Sequence, residues 1–269
     1  MFDNKKLMIF VAFLLVMAFS AMAVNANQLF FAHQIDTSKY PEIVAKVNGD
    51  EISGQNLATA TAIEKSKWDK IGNPQSDTVC ESLALRQLII NKMIESEAKQ
   101  NNISISSQEA YEKLKNVVNE IMSLSDNPGK EQFLSEIKTC GYNSVEEYLE
   151  DAKVTEAYKK LLVRTKVRNQ FYKSVPEPTE NDINAYIQDK QINDVDDESK
   201  KLIKNALYQA KKSKAWKDHV DLLINSGDYE ILAPIDIGNV NTPKLDLKSL
   251  ENNDIMVHPG IVDEKEQGK

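Results

Sequence analysis

Cysteine and histidine are both scarce in this chain, and so are the motifs that would use them. The 269 residues hold two cysteines, Cys80 and Cys140, and three histidines, His33, His219 and His258. Two cysteines without neighbouring histidines cannot fill a tetrahedral metal shell, and no His-x-x-x-His pair is present. Nor do the nine glycines form a phosphate-cradling loop or a Gly-x-Ser-x-Gly elbow. Without a nucleophile, a base and an orienting group in any recognisable pattern, the expectation is a protein that is not an enzyme and needs no cofactor or metal. An excess of positive charge is missing as well. The formal net charge is −8, with basic residues mixed among acidic ones along the helices, which argues against nucleic acid as a partner. No internal repeat of fixed period appears, so a solenoid of identical helical pairs is not expected.

Asp194, Asp196, Asp197 and Glu198 form one acidic cluster. It lacks the alternating oxygen ligands and central glycine of an EF-hand loop, and is read as a solvated helix start.

One long apolar run stands out. Lys5-Lys6 precede Leu7 to Val24, which ends in Ala21-Met22-Ala23 and Val24-Asn25-Ala26. This is the order of a secretory signal, cleaved after Ala23 or Ala26. The competing reading is an uncleaved anchor attached to a membrane through residues 7–24. Under either, the body lies outside the cytoplasm, because the positive flank stays inside. In an oxidising compartment Cys80 and Cys140 can pair as a disulfide. The alternative is a small buried hydrophobe at Cys80 and a solvated helix-end residue at Cys140.

Strand signals are few. Val44 to Ile52 reads as a small hairpin turning at Asn48-Gly49, a pair suited to the positive φ values of a type I′ turn. The other compact strand signal is Tyr229 to Leu232, so the two ends of the body are expected to close on each other. Between them the sequence is helical. Ser53 caps a helix towards Lys70, and Gly72-Asn73-Pro74 breaks it. Capping boxes are read at Thr78…Glu81, Ser106…Glu109 and Ser144…Glu147. The first opens the most apolar helix, with Leu85, Leu88, Ile89 and Met93 at helical spacing and Ile90 and Ile94 widening the surface. The third opens a helix read as continuous to about Tyr172. Thr179 starts a further helix, and a last long one carries Ile203, Leu207, Val220 and Leu223 and closes at Gly227. Tyr111, Phe133, Tyr148 and Tyr186 are aromatic residues at core spacing, although a binding groove would use the same types.

The fold expected is therefore mainly α, a multi-helix domain with a small β element made by the N-terminal hairpin and a C-terminal strand. The chain divides into a signal peptide or anchor (1–26), a tether (27–41), a helical domain (42–237) and a polar, disordered tail (238–269).

In order along the chain, the segments Val44 to Ser53, Leu88 to Ser106, Gly141 to Leu149 and Val175 to Tyr186 resemble the chaperone domain of the SurA and PrsA family of extracytoplasmic foldases. The resemblance runs from about Ile43 to Ile231. It implies a SurA-like helical chaperone domain that binds unfolded or newly exported polypeptides through apolar surface, without ATP. Family members usually insert a parvulin-type prolyl isomerase domain before the last long helix, and here only a short connector from Asp189 to Ser199 occupies that place. The glycine-rich loop, the opening His-Ile-Leu strand and the paired histidines of a parvulin are missing, so isomerase activity is not carried over. A peptidyl-prolyl isomerase of PrsA or SurA type and a cell-envelope adaptor with one folded partner remain the alternatives. Which side chains would touch a client, and the oligomeric state, are left open.

Overall fold

The structure is a computed structural model that describes residues 37–124, 128–192 and 195–238. The apolar run 7–24, with its cleavage sites, and the tail beyond Gly238 lie outside the described residues. Among the described residues, eight helices and three strands follow the expected mainly α plan. Strands β1 (Ile43–Val47) and β2 (Asp50–Ser53) form the hairpin. Its turn residues take φ of 50° at Asn48 and 83° at Gly49, a conformation that asparagine and glycine adopt at low cost.

The hairpin gains its third strand from the far end of the body. Strand β3 (Tyr229–Ile231) pairs antiparallel with β1, giving the order β2-β1-β3. Ala45 is thereby opposite both Ile52 and Ile231, and Val47 opposite both Asp50 and Tyr229. The amide of Asn48 donates to the Asp228 carbonyl at 2.9 Å, and that of Leu232 to the Val44 carbonyl at 2.8 Å. A register shift between Ile43 and Ala45 lets the neighbours Val44 and Ala45 both be buried, against the strict alternation of a flat strand.

Helix α1 (Gly54–Lys70) begins where expected, with the Ser53 hydroxyl accepting from the Asn56 amide at 3.1 Å. Helix α2 (Asp77–Gln100) begins one residue before Thr78, so Thr78 lies inside the helix and the expected capping box does not form. Ser76 is the cap, accepting from the Val79 amide at 3.3 Å. The Glu81 carboxylate instead binds the end of the segment read as a tether, accepting from Lys39 Nζ at 2.5 Å and the Tyr40 hydroxyl at 2.8 Å. α1 and α2 pack on each other and on the hairpin. Leu85 and Ile89 are fully buried, with Ile90, Met93 and Ile94 beside them, while Leu88 is half-buried. Each such fully buried side chain contributes roughly 1.5–3 kcal/mol before entropy is subtracted.

Helices α3 (Ser107–Ser123), α4 (Pro128–Thr139), α5 (Val145–Glu150) and α6 (Ala152–Lys173) follow. Ser106 caps α3 and Ser144 caps α5, each accepting from the expected amide, but both boxes are one-sided: Glu109 pairs with Lys113, and Glu147 reaches the Asn143 amide. The long helix expected from Ser144 to Tyr172 is broken at Asp151, whose backbone is extended. Its carboxylate accepts from the Lys153 amide at 2.8 Å and the Tyr142 hydroxyl at 2.9 Å, so one side chain caps α6 and anchors a buried tyrosine. Leu114, Val118, Ile121, Phe133, Ile137 and Tyr148 make the core of this region, Tyr148 meeting Phe133 and Tyr142 edge-on at 5.9 and 5.3 Å.

Helices α7 (Glu180–Asp189) and α8 (Asp197–Ser226) complete the chain before β3. The described residues group into two compact units: Lys166–Ser226 form one, and the residues up to Thr165 with those from Gly227 form the other. The first unit in chain order holds the sheet and α1 to α5.

Candidate aromatic site

The second unit has few buried side chains. Val167, Val175 and Ile183 sit at 9 % exposure or less, and Ile224 is the one residue of α8 that reaches that level. Its apolar content is instead spent on a half-buried aromatic cluster. Phe171 and Tyr172 end helix α6, just ahead of Val175-Pro176-Glu177-Pro178, where the prolines prevent the helix from continuing. Tyr208, Lys212 and Trp216 follow at four-residue intervals on α8, with His219 three residues on, so all four share one helix face.

The two helices bring these rings together. Trp216 lies edge-on to Phe171 at 5.6 Å and to Tyr172 at 6.3 Å. His219 is tilted over Phe171 at 4.8 Å and over Trp216 at 5.3 Å. The Lys212 ammonium stands over the Tyr208 ring at 4.0 Å and over Tyr172 at 5.8 Å, both within cation–π range. All of these side chains are half-buried, so each ring keeps part of its surface in water. The Tyr208 hydroxyl donates to the Val175 carbonyl at 3.3 Å, holding the chain after α6 against α8.

Two exposed ion pairs link α8 to the segment before α7 and to α7 itself. Lys204 meets Glu177 at 2.7 Å, and Lys211 meets Asp182 at 2.9 Å. Thr179 and Asp182 form a complete capping box at the start of α7. Lys211, then the Thr179 amide and hydroxyl, hold the Asp182 carboxyl down at about 2.

The residues singled out from the sequence are distributed differently. Cys80 and Cys140 are both buried and are not bridged. Cys80 is the small buried hydrophobe of the alternative reading, whereas Cys140 is not a solvated helix end: it belongs to the core around Tyr148. Burial, with Glu136 beside it, pushes the Cys140 thiol up to about 11, and burial raises Cys80 as well. Asp196 Oδ1 accepts from the Ser199 amide at 2.8 Å, so this member of the acidic cluster caps α8; Asp194 lies outside the described residues. Among the described residues no group of three His, Cys, Asp or Glu side chains is placed to hold a metal ion. His33 and His258 lie outside the described residues. Of the aromatic residues at core spacing, Phe133 and Tyr148 are buried, while Tyr111 and Tyr186 are half-exposed. The cluster itself escapes sequence reading because Phe171 and Trp216 belong to different helices, and periodicity says which face is apolar but not which helix it meets.

By its fold the chain is a mainly α protein closed by a three-stranded sheet drawn from both ends of its body. The family model for the SurA-like N-terminal domain matches residues 2–134, which take in the hairpin, α1, α2, α3 and the start of α4. The resemblance to a SurA-like N-terminal domain is thus shown over that span. No curated protein and no solved structure matches the chain. No helix of the described residues is long and apolar enough to cross a membrane.

Proposed function

We propose that this protein is an extracytoplasmic, ATP-independent chaperone that holds unfolded or newly exported polypeptides on apolar surface and does not isomerise prolyl bonds. The single observation that carries the reading is the cluster of Phe171, Tyr172 and Trp216, whose rings are ordered against one another yet remain partly open to solvent. Large rings in that state offer contact area to an extended chain at little entropic cost. The similarity of residues 2–134 to a chaperone-type domain supports the same reading. Its extracytoplasmic part rests on Lys5-Lys6 and the apolar run that follows.

The non-enzymatic part rests on the absence of parvulin sequence features and on the short link between α7 and α8, residues 190–196, where relatives carry their isomerase domain. Light scattering from an aggregating unfolded protein tests the chaperone reading. Suppression at a few-fold molar excess is expected, and none at several-fold excess overturns it. A proline-limited refolding assay tests the rest, since acceleration above background would make the protein an isomerase. Recovery of one stoichiometric folded partner, in place of many extended clients, would favour an envelope adaptor.

A further inference from the structure

Charge is mixed along most of this acidic chain but not in two stretches. From Ala157 to Pro176 there are six basic residues and no acidic one, and from Ser199 to Lys217 there are seven lysines and no acidic residue. All 41 acidic residues therefore lie outside these stretches. Phe171 and Tyr172 fall in the first stretch, Tyr208 and Trp216 in the second, so the aromatic cluster is assembled wholly from acid-free basic sequence.

Four of the acidic side chains near these stretches are engaged, while Glu198, next to Ser199, is exposed with no ion pair among the described residues. Glu177 is held by Lys204, Asp182 by Lys211, Asp218 by Lys214 at 2.5 Å, and Asp221 by Lys217. Arg168 lies one turn ahead of Phe171 and Tyr172 on the same side of α6, and it is exposed with no ion pair among the described residues. Lys173 is likewise exposed and unpaired. Lys212 stands over two tyrosine faces and makes no ion pair within 4 Å among the described residues, although, after that of Lys204, its charge helps hold the Glu177 carboxyl down. Aromatic contact surface is thus bordered by cations of which Arg168 and Lys173 have no ion pair among the described residues, and a ligand carboxylate can supply that counter-charge.

We propose, building on the chaperone reading above, that this cluster selects extended polypeptide segments in which acidic residues flank aromatic ones. The ligand's rings would pack on Phe171, Tyr172 and Trp216, and its carboxylates would face Arg168, Lys173 and Lys212. Exposed charge pairs add little affinity each, so charge sets the preference among clients while the rings supply most of the binding. A preference of about three- to tenfold at low salt is the scale that a few such pairs produce.

Fluorescence anisotropy on the full chain decides it, with three labelled peptides of equal length that alternate Phe with Asp, with Ser or with Lys. The Asp peptide is expected to bind tightest and the Lys peptide weakest, with the difference shrinking at 0.5 M salt, roughly, as screening predicts. In the double variant Arg168→Gln, Lys212→Gln the Asp peptide should lose its advantage over the Ser peptide. Trp216→Ala should weaken all three peptides. Equal affinity for the Asp and Lys peptides in the unaltered chain overturns the selectivity and leaves the chaperone reading standing, and that comparison needs no variant to fold. Loss of selectivity without any effect of Trp216→Ala would move the site elsewhere and overturn the assignment to this cluster. No binding of any peptide overturns both.

Discussion

Lys46 of β1 and Glu230 of β3 are Cα partners across the antiparallel ladder, one near the start of the described chain and the other near its end. On the other side of Lys46 stands Glu51 of β2, and all three side chains are exposed. A single lysine therefore sits between two glutamates across the sheet that joins the two ends of the body. Lys46→Glu would set three like charges in a row. Urea denaturation should show a loss of about 0.5–1 kcal/mol at low ionic strength, shrinking as salt is raised.

Gly54, the first residue of α1, is a position where the backbone leaves no room for a side chain. A Cβ there would lie 2.3 Å from the Pro41 carbonyl oxygen and 2.9 Å from Tyr40 Cβ, while the Gly54 amide donates to the Glu42 carbonyl at 2.9 Å. Gly54→Ala must push the docked segment away from α1. A cost of about 1–3 kcal/mol is expected, the usual range for overpacking, read as a lower thermal midpoint.

Asp151 performs two tasks, capping α6 and accepting from the Tyr142 hydroxyl. Asp151→Ala should cost roughly 2–4 kcal/mol, a cap plus a buried hydroxyl left without its acceptor. Replacing Tyr142 by Phe in the same molecule removes the orphaned group. The double variant Asp151→Ala, Tyr142→Phe should therefore be no less stable than Asp151→Ala alone, and a clear further loss would show that the tyrosine contributes by another route.

The Cys140 thiol, buried against Tyr148 and pushed up to about 11, is almost wholly protonated at neutral pH. Its alkylation in the folded protein should be slow, and should accelerate by orders of magnitude in denaturant. Mass mapping of the labelled cysteines resolves the two sites. Rapid labelling of Cys140 in the native state would show that this core opens readily.

The Asp182 carboxyl, held down at about 2 by Lys211 and the Thr179 cap, titrates below its unfolded value. A depressed carboxylate contributes stability that is full above the unfolded value of about 4 and is lost as pH falls through about 2. Carboxyl chemical shifts followed against pH should give an Asp182 midpoint near 2 in the folded chain, and a midpoint near 4 would mean that neither contact persists in solution. Lys211→Met should move that midpoint upward.

What the amino-acid sequence determined alone is the set of features decided within a few residues. The Asn48-Gly49 turn needs two positive φ values, and these two residues tolerate them. Ser53, Ser106, Ser144 and Thr179 each cap a helix because a short hydroxyl reaches an amide three residues on. Even the closure of β1 by β3 was legible, because a lone hairpin needs a third strand and the sequence offers one compact candidate. Tertiary structure decided what depends on partners distant in sequence. Ser76, not Thr78, caps α2, and Glu81 binds Lys39 and Tyr40, residues 42 and 41 positions away in sequence. Asp151 broke a continuous helical pattern because a buried tyrosine hydroxyl required an acceptor. The two cysteines were buried unbridged, Cys140 in the core around Tyr148. The aromatic site arose only when α6 and α8 met, since helical periodicity defines a face and leaves its neighbour to the packing of the whole unit.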